Sequence, residues 1–192
     1  MIEGCPSLER VPKLPIGLSG LCIISCGKLK ALTTNLSDLK HLRYITIRGC
    51  SSLESVPELP IGLPELRSFE IEGCPSLERV PELPIGLLWL YIKNCRKLKA
   101  LTTNLSNLKH LRDFMIEGCP SLERVPELPI GLSRLYITNC GKLKALATNL
   151  SDLKHLRVYI HGCPSLEGSP EVLNSRRRQM KELEPVEISA DP

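Results

Sequence analysis

Aromatic side chains are scarce in this sequence: two phenylalanines, four tyrosines and one tryptophan in 192 residues. So few rings cannot fill a core, which must then be packed from aliphatic side chains. Long apolar runs are missing too. None approaches the roughly 20 residues a membrane helix needs. The N-terminus, Met1-Ile2-Glu3-Gly4-Cys5, lacks the basic region and apolar stretch of a secretory signal, so the expected compartment is the cytoplasm. Charge of one sign is not in large excess. A net +4 is too modest to imply a nucleic-acid partner. Catalytic motifs are absent as well: no Gly-x-Ser-x-Gly, no His-Glu-x-x-His, no paired acids and no Gly-x-x-x-x-Gly-Lys-Ser/Thr phosphate loop. The expectation is a protein that is not an enzyme, holds no cofactor or metal, and touches neither nucleic acid nor membrane.

What is present is a repeat. The stretch Leu111–Leu132 places Leu111, Phe114, Ile116, Cys119, Leu122 and Val125 at L-x-x-L-x-L-x-x-C-x-x-L-x-x-L offsets, with conservative swaps. Phe114 and Ile116 are two apart and share one face of a short strand, while Asp113, Met115 and Glu117 share the other. Leu122 and Val125 lie past a bend at Cys119 and must return to the same core. The bend cysteines recur as Cys5, Cys26, Cys50, Cys74, Cys95, Cys119, Cys140 and Cys163, separated by 21, 24, 24, 21, 24, 21 and 23 residues. A period of about 20–29 residues is that of leucine-rich repeats. The expected fold is an α/β-type solenoid of about eight coils over residues 1–173, a horseshoe with a parallel concave sheet and short helical or polyproline-like convex segments. Residues 174–192 are expected to be a tail or a capping helix.

The coils are of two kinds. One carries Pro-Glu-Leu-Pro-Ile-Gly-Leu after the bend, at 57–63, 81–87 and 126–132, and with Lys13 for Glu at 12–18. Two prolines so close forbid a helix and favour an extended back. The other carries Ala-Leu-Thr-Thr-Asn-Leu-Ser-Asp-Leu-Lys-His-Leu at 31–42, with close copies at 100–111 and 145–156. There Ser37 resembles the cap of a single helical turn. Stretches 69 residues apart, such as Cys5–Leu18 and Cys74–Leu87, are nearly identical, which duplication of a multi-coil block explains.

Met1–Arg10 copies Met115–Arg124, so Met1 falls inside a strand pattern. Solenoid ends need polar caps, and the expectation is a piece of a longer array with an association-prone N-terminal edge. The last coil, Leu156–Cys163, is one residue short. Beyond it Ser169-Pro170-Glu171 reads as a helix start, with Val172, Leu173, Arg176, Met180 and Leu183 at helical spacing.

Nine cysteines raise disulfide and metal readings, but eight fill one slot per coil and no C-x-x-C occurs. They are expected to be reduced, buried and structural, with Cys22 outside the series and partly exposed. His41, His110 and His155 are copies of one position in Lys-His-Leu and read as surface turns. The sequons at Asn35, Asn104 and Asn149 copy one tripeptide and read as incidental.

Stacked strands would pool their outward residues on one wall. Counting back four from each bend gives Cys22, Thr46, Glu70, Tyr91, Met115, Tyr136 and Tyr159; counting back two gives Ile24, Arg48, Glu72, Lys93, Glu117, Thr138 and His161; counting back six gives Gly20, Tyr44, Ser68, Trp89, Asp113 and Arg134. All four tyrosines and the tryptophan fall here, whereas Phe69 and Phe114 fall on core positions. Strand propensity alone favours aromatics at such sites. Tyr, Trp and Arg are also the residues enriched at binding hot spots, and these positions vary between copies whose core positions barely change. The candidate protein-binding residues are Tyr44, Arg48, Glu70, Trp89, Tyr91, Lys93, Met115, Arg134, Tyr136 and Tyr159.

The L-x-x-L-x-I-x-x-C-x-x-L-x-x-V-P runs, such as Leu42–Pro57 and Leu66–Pro81, resemble the leucine-rich-repeat region of plant intracellular nucleotide-binding disease-resistance proteins. That resemblance implies sensing of pathogen effectors or guarded host proteins in plant defense, and an intramolecular contact with a nucleotide-binding domain for which these 192 residues supply no phosphate loop. Leu-Pro-Ile-Gly-Leu after Pro-Glu also resembles coils of bacterial secreted effectors, some of them ubiquitin ligases. The roughly 29 residues after Cys163 hold no ligase domain, and the bend cysteines fit that family poorly. A structural repeat without independent function is the third reading.

Overall fold

In a computed structural model, residues 1–167 are described, except 33–35, 37, 60–62, 103 and 149. The expected helix start at Ser169 and the expected boundary at residue 173 lie outside the described residues.

Eight strands form one parallel sheet: β1 Ile2–Glu3, β2 Gly20–Ile24, β3 Tyr44–Arg48, β4 Ser68–Glu72, β6 Trp89–Lys93, β8 Asp113–Glu117, β10 Arg134–Thr138 and β12 Arg157–His161. Their order in space is their order in the chain. The chain is therefore a solenoid, as expected, of about seven turns where about eight coils were expected. Two-residue segments on the opposite side, β5 Arg79–Val80 with β7 Ala100–Leu101 and β9 Arg124–Val125 with β11 Ala145–Leu146, add short parallel pairs. The only α-helix among the described residues is the single turn α1, Pro164–Glu167.

The interior follows from the strand period of two. The second and fourth residues of β2, β3, β4, β6, β8 and β10 are buried. Phe69 and Phe114 are fully enclosed, each stacked between the aliphatic residues of adjacent strands. Three residues past each bend, a leucine returns to this core: Leu29, Leu53, Leu77, Leu98, Leu122 and Leu143 are all 0% exposed.

Each bend is made by a residue pair. The position before every bend cysteine is left-handed: Gly4, Ser25, Gly49, Gly73, Asn94, Gly118, Asn139 and Gly162, with φ between 54° and 66°. Glycine has no Cβ to clash there, and asparagine tolerates the conformation better than most residues. The turned backbone extends the ladder: Gly49 N–H donates to the Glu72 carbonyl at 2.9 Å and Asn94 N–H to the Glu117 carbonyl at 2.7 Å. The cysteine thiol then donates to the carbonyl two residues back, at 3.4–3.6 Å in all eight coils. A small sulfur thus closes each bend; the hydrogen bond from Cys74 pulls Cys50 down to about 7, and that from Cys95 lowers Cys119. Hydrogen bonding to a neighbouring thiol, together with burial, pushes Cys74, Cys95 and Cys140 above the ordinary thiol range.

The two backs reach the same strand start by different routes. In the proline coils Leu83 and Leu87, or Leu128 and Leu132, fill the core, and Pro-Ile-Gly-Leu closes as a turn: Leu87 N–H donates to Pro84 at 3.2 Å and Leu132 N–H to Pro129 at 3.0 Å. The extended back expected there therefore ends in a turn, whose apical isoleucines Ile85 and Ile130 point to solvent. An arginine of the preceding coil grips it: Arg112 Nη1 donates to the Gly131 carbonyl at 2.6 Å, and Arg67 reaches Gly86.

The helical coils depart from expectation in one detail. Their turn is a 3₁₀ turn, Leu105–Asn107 and Leu150–Asp152, and its cap is Asn104, whose side chain accepts from Ser106 N–H at 3.2 Å. Ser37 itself lies outside the described residues, but its copy Ser106 sits inside the turn rather than at the cap. The reason is the leucine spacing: Leu105, Leu108 and Leu111 are three apart, the 3₁₀ period, and all are buried. Asn104, one of the sequon asparagines, is engaged in this cap. The one-residue deficit of the last coil falls between Leu156 and β12, so β12 still pairs with β10 residue for residue.

Truncating Leu90 or Ile92, both 0% exposed, to alanine should cost about 2–5 kcal/mol in urea unfolding. A loss within error would mean these side chains are not enclosed. Gly118→Ala should cost more than about 1 kcal/mol, because φ is +62° and a Cβ would lie 2.3 Å from Asn94 Oδ1. With a thiol reagent, Cys5 and Cys22 should react fast in the native protein and the seven buried cysteines only on unfolding. Fast labelling of more than two would contradict the bend geometry.

Candidate protein-binding face

The register of the sheet fixes what the solvent face can do. Across β2, β3, β4, β6, β8, β10 and β12 the first residues align as Gly20, Tyr44, Ser68, Trp89, Asp113, Arg134 and Arg157. The third residues align as Cys22, Thr46, Glu70, Tyr91, Met115, Tyr136 and Tyr159, and the fifth as Ile24, Arg48, Glu72, Lys93, Glu117, Thr138 and His161. Counting back from the bend cysteines yields these same rows except for Arg157, which the first row gains in the structure. All ten expected residues lie on this face, none of them fully buried.

They form two groups. Trp89, Tyr91, Lys93, Met115, Arg134, Tyr136 and Tyr159 are contiguous on β6, β8, β10 and β12. Tyr44 and Arg48 on β3, with Glu70 on the polar strand β4, make the second. Trp89 is 38% exposed and Tyr159 54%. The Tyr136 and Tyr159 ring centroids are 6.1 Å apart, tilted by 44°. Tyr44 lies over Gly20, where any Cβ would meet its ring at 2.0 Å, so glycine there gives the tyrosine its seat.

Charges are partly neutralised within the face. Arg48 bonds Glu70 at 2.8 Å and lies 3.4 Å from Glu72. Arg134 forms a two-pronged pair with Asp113, Nη2 to Oδ2 at 2.9 Å and Nε to Oδ1. Asp113 is the one buried charged residue described, 4% exposed. It was among the counted-back positions but not among the expected binding residues. Its signal is an acid and an arginine in the same row one coil apart, which in a parallel sheet means side by side. Burial, then the Asp113 charge, raises the Tyr91 phenol above its usual value.

The other side of the solenoid is less suited to binding. A cleft there is lined by Glu54, Glu58, Glu78, Arg79 and Lys97. Glu58 already accepts from the Glu82 N–H at 3.1 Å, and Glu78 faces Lys99 at 3.5 Å. Among the described residues there is no group of three or more His, Cys, Asp or Glu that could hold a metal, and no helix is long and apolar enough to cross a membrane.

No protein-family model matches the sequence, and no curated protein matches it. Among solved structures the chain is similar to the leucine-rich repeat domain of the type III effector XopL, at 22% identity over 82% of this chain and 73% of that one, with a TM-score of 0.46. It is also similar to a leucine-rich repeat protein from Bacteroides ovatus, at 16% identity over 86% of this chain and 57% of that one, with a TM-score of 0.40.

Arg134→Ala should destabilise the fold more than Arg48→Ala. The first strands a buried carboxylate, while the second releases Glu70 and Glu72, which solvent can reach. Equal urea midpoints for the two variants would mean Asp113 has another partner.

Proposed function

We propose that the solvent face of the sheet is a protein-recognition surface, and that the chain is the sensing region of an intracellular immune receptor of the plant nucleotide-binding leucine-rich-repeat type. The single observation behind recognition is the pooling of Trp89, all four tyrosines and Arg134 on one wall of an otherwise aliphatic molecule. Rigid aromatic side chains bury large areas at small entropic cost, and they dominate interface energetics. The rigid ladder beneath them holds that wall in shape before a partner arrives. An intracellular setting is supported by the bend cysteine, whose thiol serves as a hydrogen-bond donor in every coil, a role that needs reduced sulfur and so suits the cytosol. In such a receptor the face would take an effector or a guarded host protein, and a nucleotide-binding domain would dock against the solenoid. No catalytic role is assigned. A bacterial secreted effector is the second reading, favoured by Leu-Pro-Ile-Gly-Leu in the coils and disfavoured by cysteine at the bends.

Random-peptide display against the chain should return binders that lose about 2 kcal/mol, roughly 30-fold in affinity, in Trp89→Ala. The same binders should be unaffected by Ile130→Ser on the opposite side. Binders sensitive only to Ile130→Ser would overturn the assignment of the face.

A further inference from the structure

The solvent face is divided lengthwise. On β2, β3 and β4 its central row reads Cys22, Thr46 and Glu70; on the next four strands it reads Tyr91, Met115, Tyr136 and Tyr159. We propose that this four-strand stripe binds a proline-rich segment in the polyproline II conformation, flanked by acidic residues and lying across the strands. The proposal rests on the recognition reading above and names its partner.

The first argument is periodicity. A side chain recurs along the stripe at each strand, and two strand steps span about 9.5 Å. A polyproline II helix repeats every three residues at about 3.1 Å each, or about 9.3 Å per turn. Tyr91 and Tyr136 are two strands apart, so one turn of such a helix spans that pair, with the flexible Met115 between them, and Tyr159 one strand further on flanks the next half-turn. Other conformations fall out of step. An extended strand presents same-face residues about every 6.7 Å, and an α-helix has a pitch of about 5.4 Å.

The second argument is hydrogen bonding. A polyproline II segment makes no internal hydrogen bonds, so all its carbonyls need donors. Tyrosine and tryptophan pair an apolar ring with a single donor at the rim. Tyrosine phenols keep their proton at neutral pH, and Trp89 lies two residues from Tyr91 on the same strand.

The third argument is charge. At one end of the stripe stands Lys93, the fifth residue of β6, in a row between Glu72 and Glu117; at the other end, on the opposite edge, stands Arg157, the first residue of β12. Neither forms an ion pair with a described residue. Arg134, between them, is already committed to Asp113. The three strand steps from β6 to β12 cover about 14 Å, the length of about five polyproline residues. Each cation stands two residues, about 6.6 Å, to one side of the central row, so acidic residues at the two ends of a short proline run would reach both through the cations' long side chains.

Trp89 is the sole tryptophan and reports directly. A blocked hexapeptide of four prolines between two aspartates should shift its emission saturably. Affinity should fall at least tenfold in Tyr136→Ala and at least threefold when lysines replace the aspartates. Tyr136→Phe, which keeps the ring and loses the hydroxyl, should fall between wild type and Tyr136→Ala. Ile130→Ser should bind as wild type does, and circular dichroism of each variant separates lost binding from lost folding. No saturable shift, or an equal response to a peptide with glycine and serine in place of the prolines, would overturn the proposal. Displayed peptides that bind this face but contain no proline would also overturn it, while leaving the recognition reading standing.

Discussion

Everything in this molecule depends on turning the chain at the same height in every coil. A parallel sheet tolerates no slip, because a shift of one residue would send the whole core row into solvent. The turn is made by two adjacent residues: a left-handed Gly, Asn or Ser, and then a buried cysteine whose thiol bonds back to the strand. The left-handed residue also donates its N–H to the next coil. The bend thus belongs to the ladder rather than interrupting it. Cysteine suits the position because it is small, apolar and still a weak donor.

Once the bend is fixed, the return path is free to differ. A coil that opens with cysteine spends 21, 23 or 24 residues before the next bend, by a proline turn or a 3₁₀ turn, and the sheet does not register the difference. The Cys50 coil shows this most clearly. It has the proline back but a 24-residue length, through the additional Pro64-Glu65-Leu66, and Leu66 simply joins the core at 0% exposure. The same separation of roles operates on the sheet. Core rows repeat leucine and isoleucine, while the outward rows carry glycine, tyrosine, tryptophan, acids and bases in near-duplicate coils. Sequence variation is thereby confined to a surface whose shape the core holds constant.

Much of this was legible in the chain. The cysteine spacing located every strand, and counting back from it reproduced the outward rows, because a two-residue strand period and a fixed bend leave no freedom. The left-handed position was legible too, since Gly, Asn or Ser precedes every bend cysteine, although the cysteine itself drew the attention. The helical back was legible as a single turn, but in the copy at 105–107 the cap is Asn104 rather than the serine, and the three-residue leucine spacing selects 3₁₀ geometry. The Asp113–Arg134 pair could be placed in one row but not foreseen as a pair, because a row position does not specify which side chains reach one another. The solvent-facing isoleucines of the proline turns were also not anticipated, since an apolar residue beside two buried leucines reads as core.

The central claim is that the aliphatic ladder throws the aromatic side chains outward as one wall. Acrylamide quenching of the native protein tests it most directly through Trp89. The account predicts substantial quenching in the folded state, a sizeable fraction of that in denaturant, together with emission to the red of a buried indole. A native tryptophan with blue emission that acrylamide cannot reach would place Trp89 in the interior and contradict the account.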